Sequence, residues 1–114
     1  MYTMFAGFMH GAAMVAPAGV SATAFAELAA PFLSAMTGGL SGLAEVVDGG
    51  DYTVAGQQSL EFSDLGDLVQ ATVDEGMSTE VIAPVQALIR RQIAAGHGKE
   101  AFARIYEEIR STAA

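Results

Sequence analysis

The first fifteen residues, MYTMFAGFMHGAAMV, carry no charged side chain, and their more polar groups are Tyr2, Thr3 and His10. Tyr2, Phe5 and Met9 fall on one helical stripe, and Met4, Phe8, Gly11 and Val15 on the next, which is the spacing of an α-helix. A helix apolar nearly all round is buried in a large core or spans a membrane. This one would be about 22 Å long, too short for a bilayer crossing, which needs roughly 20 apolar residues. It therefore reads as a central core helix. The sharper reading is a helix that crosses a partner subunit and is covered from both sides. Gly7 and Gly11, one helical turn apart, would let two backbones approach closely.

The remaining chain makes a core possible. The whole chain has 114 residues, 52% of them hydrophobic, and no cysteine. One domain is expected over residues 1–114, without disulfide or thiol chemistry, and a cytoplasmic location fits that composition. Thirteen acidic residues oppose five basic ones, and the first base is Arg90. An acidic surface repels phosphate, so neither nucleic acid nor an anionic membrane is an expected partner. Val15-Ala16-Pro17-Ala18 has the small residues of a signal-peptide cleavage site. No Lys or Arg precedes the apolar run, so a signal peptide is not expected. An apolar helix with no cap leaves its first N–H groups orphaned, so Met1–Val15 reads as the latter half of a longer helix.

About six helices follow from the pattern, and no sheet, because no segment alternates at period two. Pro17 and Gly19 end the first helix. Ser21 caps the second, whose stripe is Phe25, Leu28, Ala29, Phe32 and Leu33. Pro31 lies inside that stripe and should kink or break it. A third helix runs from Leu40 to Val47 and stops at Gly49-Gly50. The fourth should start near Ser59 and end at Gly76. Ser78 should cap the fifth, with Glu80 in its first turn and Arg90 and Arg91 near its C-terminus, where the helix dipole favours them. After the turn Gly96-His97-Gly98, a sixth helix should begin near Lys99 and place Phe102, Ile105 and Ile109 inward.

Little in the sequence carries chemistry by itself. There is no Gly-rich strand-to-helix turn and no phosphate loop, and no nucleophile elbow. Two distant histidines without cysteine make no metal site. Asp74-Glu75 and Glu107-Glu108 read as solvated helix ends. His97 reads as a turn residue. His10, mid-helix among apolar neighbours, reads first as a satisfied core histidine and second as a site residue. Tyr2 has an apolar body and a polar tip.

Four segments in order resemble a known family: Ser21-Ala22-Thr23-Ala24-Phe25, then Pro31-Phe32-Leu33-Ser34-Ala35-Met36-Thr37-Gly38. After these come Val47-Asp48-Gly49-Gly50-Asp51-Tyr52 and Ala94-Ala95-Gly96-His97-Gly98, with Phe102-Ala103-Arg104-Ile105 behind. The chain resembles the C-terminal helical domain of NADPH-dependent imine reductases and reductive aminases, relatives of the β-hydroxyacid dehydrogenases. The family's usual Trp after the second-helix proline is Phe32 here. The resemblance implies an intertwined homodimer, with NADPH held mainly by a Rossmann domain that this chain does not contain. The active site would lie between the Rossmann domain of one subunit and the helical domain of the other. It implies that Met1–Val15 is the end of the long interdomain helix. The family's catalytic Asp or Tyr would fall two turns before Tyr2, outside this chain. No catalytic, cofactor-binding or metal residue is therefore expected here. The substrate-side candidates are Tyr2, which matches an aromatic facing the substrate, and His10. The substrate would be a small imine or a related compound, and the isolated chain should be inactive. The alternative is a stand-alone helical dimerisation module without catalytic activity.

Overall fold

A computed structural model describes residues 1–111. Six α-helices carry the fold: α1 (Tyr2–Val15), α2 (Ala22–Met36), α3 (Leu40–Gly49), α4 (Gly66–Asp74), α5 (Ala83–Gln92) and α6 (Ile105–Arg110). The described residues contain no strand, only a lone antiparallel bridge between Ser59 and Ala101. The all-α expectation holds. None of the described helices is long and apolar enough to cross a membrane.

Local chemistry explains the first turns. Gly19, at φ 85°, closes the short 3-10 turn after α1, a left-handed conformation that favours glycine. Ser21 Oγ then accepts the Ala24 N–H and caps α2, as the sequence indicates. Pro31 does not break α2, which runs unbroken to Met36. Both Pro31 and Glu27, one turn earlier, are exposed, so the carbonyl that loses its N–H donor faces solvent rather than a dry core. Gly50, at φ 72°, ends α3 where the sequence places its stop.

The later helices start further along than their periodicity indicates. Residues 58–61 do not begin α4. Leu60 N–H donates to Glu100 O (2.9 Å), Glu61 N–H to Gly98 O (2.9 Å), and Phe102 N–H to Gln58 O (2.8 Å). These backbone groups pair across the chain, so they cannot enter a helix. Leu60 becomes a fully buried residue of the core rather than part of a helical stripe. α4 begins only at Gly66, whose N–H is accepted by Asp64 Oδ1 at 2.8 Å. The same pairing holds residues 100–102 and delays α6 to Ile105, which leaves Ile109 exposed at the helix end. Ser78 closes a local turn by accepting the Glu80 N–H instead of capping α5, which begins at Ala83 with Pro84 in its first turn.

The core is formed by Val46, Tyr52, Ala101 and Ala103, with Leu43 and Val47 against it, and by Leu60, Ile82 and Ile89 nearby. α1 contributes no buried side chain. The expectation of a central core helix therefore fails for the single chain. α1 packs against α2 and touches α4 through His10 and Met14. The molecule measures 44 × 29 × 23 Å, with a radius of gyration of 15.5 Å, where a compact chain of this length has about 13 Å. Its accessible surface is 7633 Å², against about 5,900 Å² for a folded monomer of this mass.

Gly11 shows how close α1 and α2 lie. A Cβ there would sit 2.6 Å from the Phe25 ring, whereas one on Gly7 would meet nothing. The expected Gly7/Gly11 pair is thus divided: Gly11 admits α2 of the same chain, and Gly7 lies open. Gly11→Ala should lower unfolding stability by about 1–3 kcal/mol through overpacking, read by urea denaturation. An unchanged midpoint would show that Phe25 can move aside freely.

Candidate functional site

The helical hairpin of α1 and α2 projects a largely apolar surface. From Met1 to Ala44 the one charged side chain is Glu27. Phe8 stacks on Phe25, with ring centroids 5.4 Å apart, and this contact forms the seam between the helices. A groove lies on each side of the seam. One, of about 340 Å³, is lined by Met4, Phe5, Phe8, Met9, Ala29 and Leu33, among others. The other, of about 320 Å³, has Gly7, Phe25 and Phe32 in its wall. Phe5, Met9, Leu28, Phe32 and Met36 are all exposed. Contiguous apolar surface on this scale marks an interaction or ligand-binding site.

Tyr2 stands at the tip of this arm, 81% exposed, with its ring edge-on to Phe5 at 6.4 Å between centroids. It projects into solvent. His10 is placed differently. Its Nε2 lies 3.0 Å from Oγ1 of Thr72 on α4, and Thr72 is fully buried. The Thr72 hydroxyl proton is committed to Leu68 O at 2.8 Å. The hydroxyl must then accept, so His10 is assigned the tautomer with its proton on Nε2. Met14 Sδ also contacts the same hydroxyl at 3.8 Å. His10 is a satisfied histidine that clasps α1 to α4. Tyr2 and His10 lie about 12 Å apart along the helix and about 80° apart around it. The structure does not bring these two candidates to one point.

A second polar cluster was invisible in the sequence. Tyr52 is buried at 5% exposure, and its hydroxyl donates to Glu107 Oε2 at 2.6 Å. Glu107 is thus a tether for the loop after α3, not the free helix-end acid expected. Arg104 lies over the Tyr52 ring and donates to His97 Nε2 at 3.1 Å. His97 Nδ1 pairs with Glu100. His97 is a turn residue, as expected, with a bracing role. No spacing rule links residues 52 and 107, and only the fold joins them.

Burial and the adjacent Glu107 push the Tyr52 phenol up to about 12. The hydrogen bond from Tyr52 holds Glu107 below the usual carboxylate range. The raised phenol contributes stability that is complete below its ordinary value of 10.0 and lost as pH rises toward 12. The lowered carboxylate contributes stability that is lost as pH falls through its folded value. Tyr52→Phe should therefore lower the thermal midpoint at neutral pH and flatten its decline between pH 10 and 12. A variant whose alkaline profile matched the parent would show that the decline has another origin.

Asp64 makes a third polar centre, accepting from the Gly66 N–H, from Gln86 at 2.7 Å and from Arg90 at 3.1 Å. These bonds hold its carboxyl below the ordinary range, the backbone bond foremost. It ties the start of α4 to α5. Among the described residues no group of three or more His, Asp or Glu side chains is arranged to hold a metal ion.

The site is thus an apolar arm with a tyrosine at its tip, set on a small helical core and an acidic body. Residues 1–111 match the family model of the NADPH-dependent reductive aminase-like C-terminal domain, and the chain belongs to that family. It is 33% identical over 111 residues to an NADPH-dependent reductive aminase of Aspergillus oryzae, covering 94% of this chain and 38% of that protein. A reductive aminase from Aspergillus terreus, solved with NADPH4, cyclohexanone and allyl amine, superposes with a TM-score of 0.88 at 39% identity. That match covers 96% of this chain and 39% of the other. An imine reductase from the same species, solved with NADPH4 and dibenz[c,e]azepine, gives 0.85 at 37% identity, over 95% and 38% of the two chains. The fold also occurs in an imine reductase from Pseudomonas sp. at 21% identity and a TM-score of 0.84. The chain spans less than two fifths of the length of these relatives.

Proposed function

We propose that this chain is the dimerisation and substrate-side part of an NADPH-dependent oxidoreductase that reduces C=N bonds of small imines. The observation that carries the reading is the exposed apolar arm with Tyr2 at its tip. A surface of that kind marks an interaction site, and the covering elements in this reading are a second copy of the chain and a Rossmann domain. In this reading Tyr2 faces the substrate and orients it by a hydrogen bond. His10 supports the same wall from behind by fixing α1 on Thr72. The acidic, cysteine-free composition suits a cytoplasmic enzyme.

This chain's own residues do not fit NADPH. It has no Gly-rich strand-to-helix turn to approach a pyrophosphate. Of its five bases, Arg90, Arg91, Arg104 and Arg110 are each paired with a carboxylate, which leaves Lys99 and no cluster of open bases for a 2′-phosphate. The cofactor would be bound by the Rossmann domain, which supplies the hydride chemistry. The test is a calorimetric titration of the purified chain with NADPH. No heat of binding at micromolar concentration is expected, and micromolar affinity would overturn this division of labour.

A further inference from the structure

The buried side chains of the described residues all lie between Val46 and Ala103. From Met1 to Glu45 none is buried. The arm nevertheless contains two of the longest helices, of 14 and 15 residues. Isolated helices of that length are marginal in water, and most helical stability in proteins comes from tertiary packing. Within one chain the hairpin is held by the Phe8–Phe25 stack and the Gly11 approach, both inside the hairpin, and by the contacts of His10 and Met14 with Thr72 on α4. Ordering each arm residue costs conformational entropy, and the single chain offers little burial to offset it.

The chain's surface exceeds that of a compact monomer by roughly 1,700 Å². Two chains that each hid this surplus would bury about 3,500 Å², within the range of obligate homodimers. The arm carries a single charge, Glu27, so its docking would not bring the acidic bodies' charges into the interface.

We infer that folding of the arm is coupled to assembly with a second copy of this chain. Residues 46–110 form the unit that folds within one subunit, and residues 2–9 with α2 become stably helical only when the partner covers them. The inference rests on the proposed homodimer and adds that the free subunit lacks an ordered arm. Subunit exchange then proceeds through a half-folded monomer, and dilution alone controls the order of the substrate-side wall.

Backbone hydrogen exchange of the 114-residue chain, read at several concentrations, tests this. Dimer dissociation leaves a monomer fraction that varies as the inverse square root of concentration, so a hundredfold increase should slow exchange in the arm about tenfold. Exchange in residues 46–110 should stay unchanged. Phe32→Asp, placed on the exposed arm face, should give a monomer with fast arm exchange at every concentration and a body that remains protected. An arm protected in that monomer, or arm and body responding together to dilution, would overturn the inference while leaving the dimer intact. Sedimentation that shows a monomer at every concentration, with a protected arm, would instead overturn the homodimer and the inference with it.

Discussion

Tyr2→Phe, in this chain joined through a full interdomain helix to a matching Rossmann domain, is expected to lower kcat/KM about tenfold and to leave folding unchanged. The substitution removes one hydroxyl. A hydrogen bond to a reacting substrate contributes roughly 1.5 kcal/mol, which is about a factor of ten in rate. Tyr2 is largely exposed and has no hydrogen-bond partner among the described residues, so its loss takes nothing from the fold. His10→Ala supplies the contrast. It removes the clasp on the fully buried Thr72 and should act on the unfolding midpoint. Unchanged turnover in the Tyr2 variant, with collapse of turnover in a stably folded His10 variant, would reverse the two roles.

Phe32→Asp should weaken dimerisation by more than a hundredfold. Phe32 is 63% exposed on the single chain and borders the groove beside Phe25. A charge placed in an apolar contact must be desolvated without a partner. A central aromatic anchor lost from an interface costs 2 kcal/mol or more, and a two-fold axis counts each change twice. A total of about 4 kcal/mol corresponds to several hundredfold in Kd. Sedimentation at micromolar concentration should show the parent at about twice its 11.7 kDa chain mass and the variant at the single mass. A variant that still sediments as a dimer would place the interface away from this face.

The sequence revealed those parts of the fold that local rules govern. The Ser21 cap, the stops at Gly19 and Gly50, the basic last turn of α5 and the turn at Gly96 (φ 96°) depend on neighbours within a few residues. The starts of α4 and α6 were hidden because a long-range backbone pairing of residues 58–61 with 98–102 competes with the helix for the same N–H groups. The Tyr52–Glu107 tether was hidden for a similar reason, since its partners meet only in three dimensions. Pro31 was over-read, because the carbonyl it deprives of a partner lies on a wet face. The uncharged first helix reads first as a core helix, yet within the chain it buries no side chain, because apolarity alone does not say what covers a helix. Tyr2 emerged as a candidate from resemblance together with exposure, whereas the partner of His10 required the position of α4.

The measurement that bears most directly on the whole account is imine reduction by the chain alone and by the chain joined to a matching Rossmann domain. The chain alone should consume no NADPH with a cyclic imine, and the joined protein should reduce it. A joined, folded and dimeric protein that binds NADPH and still turns over no imine or related carbonyl would contradict the account. That result would leave the chain as a helical dimerisation module without catalytic activity.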